Sequence, residues 1–523
     1  MKPVALVAAV CLLLTLLTID PAGNFLSLPA GPGLTVDESF NVEVGTYLVR
    51  AEAVFGLGAI LPSSQIEIFR GSLNDHPPLG RLALGLVNVW ITDLFDVPGE
   101  HREYGSTAAA RVASAMAFAL TVLLVGWVAR RWLGHAAGFW AALVLATTPR
   151  AFGHAHIASL ETFVGLTYAA GVFAVVELWG KRPTWRTGVV CGAFWGLCLL
   201  TKIQAVLLPI PVGLWALWFF RSKAVAPLAA MAGAGLVVFF VGWPYLWDAP
   251  VEHFREYFGR AGDRITLHLW FAGERYGDRE VPVVYAPLMF VLTQPVVWLA
   301  GGVWGVRRTV AAGGDDVLGR RLVLLVASAL FPVLFFAMPN FATYDGVRLF
   351  LVAYPIWAVV AGFGLAELSA RVSPKLRPRI AAAVVAFGLL VLQSPLWLSH
   401  YSLLVGGTRG ADALGFETTY WGDSLTRDVW QAIPEDSTVA VAPVLHQFQL
   451  ESMAKQTPAI RERRLTLVPW SEGVAADFVV AFRRRADLPA ELFDVFDDAE
   501  TVVKTWDGAV VAAVVPLPLN SAK

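Results

Sequence analysis

The stretch LGRLALGLVNVWITDLF, residues 79–95, decides the fold. It is apolar and almost as long as the ~20 residues that cross a hydrocarbon core of about 30 Å. A crossing would carry Arg81 and Asp93 into the bilayer, at roughly 2.5–3.5 kcal/mol each near the centre. It would also put every later basic loop on the wrong side. The stretch is therefore read, together with 39–55, as helices lying in the membrane interface.

On either side lie the apolar runs that do cross. Lys2 and the run Pro3–Leu17 suit a first membrane helix or a secretory signal. No small-x-small cleavage site follows, TID-PAG being a poor match, so the run is expected to be retained. Further runs lie at 106–129, 135–149, 158–178, 187–201, 203–220, 225–245, 284–305, 321–338, 347–369 and 380–398. Each approximates a membrane crossing. Basic residues fall on alternate loops: Arg130 and Arg131; Lys181, Arg182 and Arg186; Arg221 and Lys223; Arg307, Arg308, Arg320 and Arg321; then Arg371, Lys375, Arg377 and Arg379. By the positive-inside rule this gives an α-helical polytopic protein of eleven transmembrane helices, its N-terminus cytoplasmic and its C-terminus outside.

Composition agrees. The 523 residues are 56% hydrophobic and only 15% charged, with a mean hydropathy of +0.60, far from the balance of a soluble chain. The net charge of −1 offers no electrostatic footprint for nucleic acid. Cys11, Cys191 and Cys198 all sit in apolar runs, which suits inert packing, so the C-terminal part is expected to fold without disulfides.

The first outer loop is polar and long, the kind of segment that carries function. It opens with TVDESFNVEVG (35–45) and closes with NDHPPLGR (74–81). Asp37 and Glu38 follow Pro29, Gly31, Pro32 and Gly33, which end any helix and set both carboxylates at a chain reversal. Two solvated loop acids would look the same, but at the membrane surface a general base meets both a lipid-borne and a water-borne reactant. His76-Pro77-Pro78-Leu79 is either a rigid helix start or a helix N-terminus aiming N–H groups and an imidazole at an anion. A second long outer loop, 246–283, and the short segments 150–157 and 339–347 complete that face. Glu161 stands at the outer end of a span, where acids are costly, near His154 and His156, which lack a metal-ligand spacing. Arg348, with Tyr344 and Asp345, opens the run 347–369. It either snorkels to headgroups or binds phosphate with its planar fork. Lys202, between two spans, raises the same question.

After His400 the texture changes. Residues 401–422, YSLLVGGTRGADALGFETTYWG, read as a Gly-rich link, and Asp423/Ser424 signal a helix start. Strand-like runs follow at 437–444, 477–483, 500–506 and 509–515, the last two flanking the hairpin dipeptide Asp507-Gly508. Two domains are expected: 1–400, a transmembrane domain with its catalytic first outer loop at 20–105, and 401–523, a small extracytoplasmic α/β domain.

VDES (36–39), HPPL (76–79), SLET (159–162) and GVRLFLVAYP (346–355), in this order, resemble motifs of the GT-C-fold, polyprenyl-phosphate-sugar-dependent glycosyltransferases. The similar group is the protein O-mannosyltransferase and aminoarabinose transferase superfamily, and the resemblance runs over most of residues 1–400. Members often carry aspartate where Glu161 stands, and some carry lysine where His76 stands. The resemblance implies transfer of a sugar from a polyprenyl-phosphate carrier to an extracytoplasmic protein, lipid or glycan, with inversion. Asp37 would be the base, and His76, Arg348, Lys202 and Tyr344 would hold the leaving phosphate. Glu38 and Glu161 would orient the acceptor or a divalent metal. A lipid-linked polymer ligase shares this architecture. A transporter would instead set its polar sites near the midplane, often in repeated broken helices.

Overall fold

Glycines set how closely the helices of the membrane body approach. The computed structural model describes residues 1–20, 31–95, 106–263, 265–375, 396–444, 446–496 and 502–518, with positions 382, 385 and 388. On the helix Trp185–Leu199, Gly188, Gly192 and Gly196 share one face. Added Cβ atoms there would fall 2.4, 2.4 and 2.7 Å from the carbonyl oxygens of Pro227, Met231 and Gly235 on the helix Val225–Gly242. Small residues at this spacing let helix backbones meet in lipid. Both series ascend together, so these two helices run parallel. The helix between them, Pro209–Phe220, must therefore run back across the body, and the chain reverses at Arg221, whose φ of 55° is left-handed.

Among the described residues, Thr107–Leu133, Glu161–Trp179, Val317–Phe335, Ala353–Ala370 and the stretch Ile203–Gly242 are long and apolar enough to cross a membrane. The apolar helices Lys2–Leu17 and His135–Ala146 are shorter. Every apolar run expected between 106 and 369 thus contains a helix, whereas most of 380–398 lies outside the described residues. The run 284–305 is not one continuous helix but the pair Tyr285–Leu292 and Val296–Ala312, bent by 117°. Pro295, at the break, has no N–H to continue the first helix.

The body has two chemically different ends. At one, Glu177 accepts from Arg131 Nη2 at 2.7 Å and Trp132 Nε1 at 2.6 Å, and Arg321 Nη2 lies 3.4 Å away. Glu161 begins the helix that Glu177 nearly ends, so the two carboxylates stand about 24 Å apart along its axis. The candidate site residues gather at the Glu161 end.

The first outer loop is mostly helical. Val36–Phe55 (α2) starts with a capping box in which the Thr35 backbone N–H and Oγ1 donate to Glu38 Oε2 at 2.9 and 3.0 Å. Asp37 and Glu38 therefore lie in a first helical turn, not at a chain reversal. Pro78–Leu94 (α4) crosses α2 where Gly45 meets Gly85, a contact too close for any Cβ. Arg81 is buried and paired with Asp75 at 2.6 Å, while Leu86, Trp90 and Leu94 are exposed on the opposite side. That apolar face suits the interfacial reading of 79–95.

The small domain holds a five-stranded sheet in the order β4-β3-β5-β7-β6: Thr438–Ala442 (β3), Thr466–Pro469 (β4), Phe478–Phe482 (β5), Val502–Trp506 (β6) and Ala509–Pro516 (β7). β3 pairs parallel with β4 and β5, and β7 pairs antiparallel with β5 and β6. Alternation places Val439, Val441, Val480 and Val514 in one core layer and Ala440, Val479, Ala481 and Val515 in another. Asp507 and Gly508 take φ of 48° and 76°, as a two-residue hairpin turn requires. Strand β4 and the helices Gln447–Gln456 (α18) and Pro458–Glu462, between β3 and β4, carry no signal in the sequence reading. Neither does the hairpin of His268–Phe271 (β1) and Glu274–Gly277 (β2) in the second outer loop.

Candidate active site

Arg348 is the hub of the site. Asp345 and Gly346 take consecutive left-handed conformations, φ 56° and 65°, and turn the chain so that the arginine points back into the body. Its Nε donates to Glu161 Oε1 at 2.7 Å, its Nη1 to Asp345 Oδ2 at 3.1 Å and its Nη2 to Asp37 Oδ2. The guanidinium lies over the Trp421 ring, 5.2 Å from its centroid, and the side chain is 12% exposed. A snorkelling arginine would reach headgroups; this one is enclosed by three carboxylates.

Lys202, in the break after Trp185–Leu199, donates from Nζ to Glu161 Oε1 at 2.5 Å. Glu161 Oε2 is buried without a hydrogen-bond partner. Around these groups Thr35, Asp37, His154, Ile157, Ser159, Glu161, Arg348 and Trp421 enclose a cavity of about 10 Å³, room for one water. Asp37 is the open edge: its side chain is 36% exposed, against 2% for Glu161 and 5% for Asp345.

Glu38 faces away from this cavity. Arg111 grips it in a bidentate pair, Nε to Oε1 at 2.6 Å and Nη2 to Oε2 at 2.8 Å, with both side chains fully buried. The Ala158 N–H adds a second bond to Oε1 at 2.7 Å. Arg111 spends its remaining donors on the carbonyls of Ile19, Pro32 and Gly33. Arg111 is missing from the sequence reading, although a cation inside an apolar run always needs a partner.

His76 and Tyr344 complete the expected set. Tyr344 acts electrostatically on Arg348, and Asp37 and Lys202 act on His76. Burial pushes the His76 imidazole down to about 4 against the opposing pull of Asp75, although 30% of the side chain stays exposed. His154 is driven down to about 3 by burial and packs edge-on to Trp421, with ring centroids 5.5 Å apart. His156 bonds Thr18 and the Phe152 carbonyl. Among the described residues no group of three or more His, Cys, Asp or Glu is placed to hold a metal ion.

The segment 401–422 is no mere link. Arg150 is enclosed by Tyr401 and Tyr420, 4.7 and 5.4 Å from their centroids, and donates to the His400 carbonyl at 3.1 Å. Trp421 Nε1 donates to Asp345 Oδ2 at 2.9 Å. The small domain thereby closes over the site, and Thr343 N–H bonds the Asp278 carbonyl at 2.8 Å to join two outer segments.

Residues 75–247 match the family model described as dolichyl-phosphate-mannose-protein mannosyltransferase. No curated protein matches the chain. The apo crystal structure of ArnT from Cupriavidus metallidurans superposes with a TM-score of 0.50 at 16% identity, covering 97% of each chain. Its undecaprenyl-phosphate-bound form gives 0.48 at 16%, covering 99% of each. The apo oligosaccharyltransferase of Archaeoglobus fulgidus gives 0.44 at 11%, covering 89% of this chain and 64% of that one. The chain thus has the fold of ArnT, and its residues 75–247 are similar to the family described as dolichyl-phosphate-mannose-protein mannosyltransferase.

Proposed function

We propose that the protein is a membrane glycosyltransferase that moves a sugar from a polyprenyl-phosphate carrier to an extracytoplasmic acceptor, with inversion. One observation carries the reading. A single guanidinium is shared by three carboxylates, of which only Asp37 opens to solvent. An arriving phosphate satisfies the planar donors of Arg348 at least as well as a carboxylate does, and Asp37 is the partner it displaces. The family segment at 75–247 supports the donor class.

In this chemistry the acceptor's nucleophile attacks the anomeric carbon as Asp37 takes its proton. The bond from that carbon to the phosphate oxygen breaks, and its electron pair leaves on the lipid phosphate. Arg348 and Lys202 hold the charge that develops, with His76 and Tyr344 as hydrogen-bond donors. Glu161 orients both cations. Glu38 is reassigned: with both oxygens spent on Arg111, Thr35 and Ala158, it is a positioning residue that fixes the first turn of α2 and hence Asp37.

The alternating basic loops support a cytoplasmic N-terminus and a small domain outside the cell membrane. A reporter active only outside the cytoplasm, fused after Leu519, should be active; activity of a cytoplasmic reporter instead removes this orientation. The reaction is tested with purified protein in lipid, radiolabelled polyprenyl-phosphate sugars and cell-envelope fractions. Label should leave the lipid for an acceptor one sugar at a time. Label that stays on the lipid contradicts the reading, and transfer of a preassembled polymer marks a ligase.

A further inference from the structure

The face of α2 that starts at Asp37 continues through Phe40 and Glu43, neighbours at about 5–6 Å between Cβ atoms. Phe40 is half-buried, and two rings from the small domain meet it. His446, the N-cap of α18, lies edge-on with centroids 5.5 Å apart, and Phe448 lies tilted at 5.1 Å. His446 and Gln447 are exposed and Phe448 is half-buried. Glu43, one turn further along α2, and Lys455 of α18 interact electrostatically. No step in the proposed chemistry uses this cluster, yet it lies one helical turn from the base.

Aromatic residues partly open to water, on two helices that also carry the carboxylate of Glu43, the amide of Gln447 and the ammonium of Lys455, suit a sugar ring. Its C–H face stacks on aromatic carbon while its hydroxyls meet the polar border. An acyl chain would call for an unbroken apolar trough, and an anionic headgroup for a border of one sign; Glu43 beside Lys455 provides neither. We infer that Phe40, His446 and Phe448 form the acceptor subsite, and that the acceptor is a glycan whose sugar ring stacks there and presents a hydroxyl to Asp37. The inference rests on the glycosyltransferase reading above.

The test gives wild-type protein in lipid a panel of radiolabelled polyprenyl-phosphate hexoses and pentoses. Mannotriose and maltotriose serve as acceptors, and a Ser/Thr-containing hexapeptide serves as comparison. Label should enter a trisaccharide. His446→Ala and Phe448→Ala should each raise its KM about tenfold, with kcat and donor hydrolysis to water unchanged. Phe448→Tyr, which keeps the ring, should restore KM; a cluster that only clasps the two domains would leave KM unmoved. Transfer to the peptide alone, transfer to water alone, or a trisaccharide KM unchanged in both alanine variants overturns the subsite. A donor left intact with every acceptor overturns the glycosyltransferase reading itself, and the subsite with it.

Discussion

Arg348 Nη2 donates to Asp37 Oδ2 across 311 positions of the chain. With Glu161 and Asp345 on its other nitrogens, three of the five guanidinium N–H groups are committed to carboxylates. A phosphate that takes the Nη2 donor displaces Asp37, the solvent-facing carboxylate, whose bond is the cheapest of the three to break. In that displacement, docking the donor and freeing the base are one event.

Arg348→Lys keeps the charge but loses the fork that serves three carboxylates at once. Donor affinity should fall moderately with Lys and by about 30-fold, on the order of 2 kcal/mol, with Ala. The donor dissociation constants of the three proteins in one detergent check this. Equal values would return phosphate binding to His76 and Lys202.

Glu38→Gln leaves Arg111 buried with a neutral partner, and removing one member of a buried pair costs about 3–5 kcal/mol. The thermal midpoint in detergent should drop sharply. A variant as stable as wild type, yet inactive, would return Glu38 to the chemistry.

Gly346→Ala tests the turn that presents Arg348. A Cβ there would lie 2.6 Å from Arg150 Nη1 and 2.9 Å from the Tyr420 hydroxyl, at a φ of 65°. A cost of about 1–3 kcal/mol and a loss of turnover are expected. Gly213→Ala, with nothing within 4 Å, should be neutral on both readouts.

The membrane body is legible in the sequence because apolar length and basic-loop alternation act locally. The hairpin at Asp507-Gly508 is legible for the same reason. The partner of Arg111 is not, because 73 residues separate it from Glu38 and the neighbouring Asp37 is an equally good candidate until α2 fixes which acid faces inward. Residues 401–422 read as a link because glycine dominates their start. Tyr420 and Trp421 at their end are the overlooked signal, since large aromatics in a supposed linker need something to pack against.

Asp423 is fully buried, and neither carboxylate oxygen has a hydrogen-bond partner. Burial pushes its pKa up to about 6 from an ordinary value of 3.8. Because the folded value is the higher one, its contribution is fully present below pH 3.8 and is lost as pH rises through 6. Asp423→Asn should therefore raise the thermal midpoint at pH 7.5 and change it little at pH 4. A variant equally or less stable at pH 7.5 would mean that the carboxylate is compensated in the fold.

The most direct test pairs two quantities on Asp37→Asn: donor dissociation constant and turnover with labelled polyprenyl-phosphate sugar. The asparagine keeps the shape but cannot take a proton, and as a weaker rival for Arg348 it should leave donor affinity unchanged or tighter. Turnover should fall at least about 100-fold, the scale of a lost general base. Near-normal turnover with normal donor binding would contradict Asp37 as the base and the site built around it.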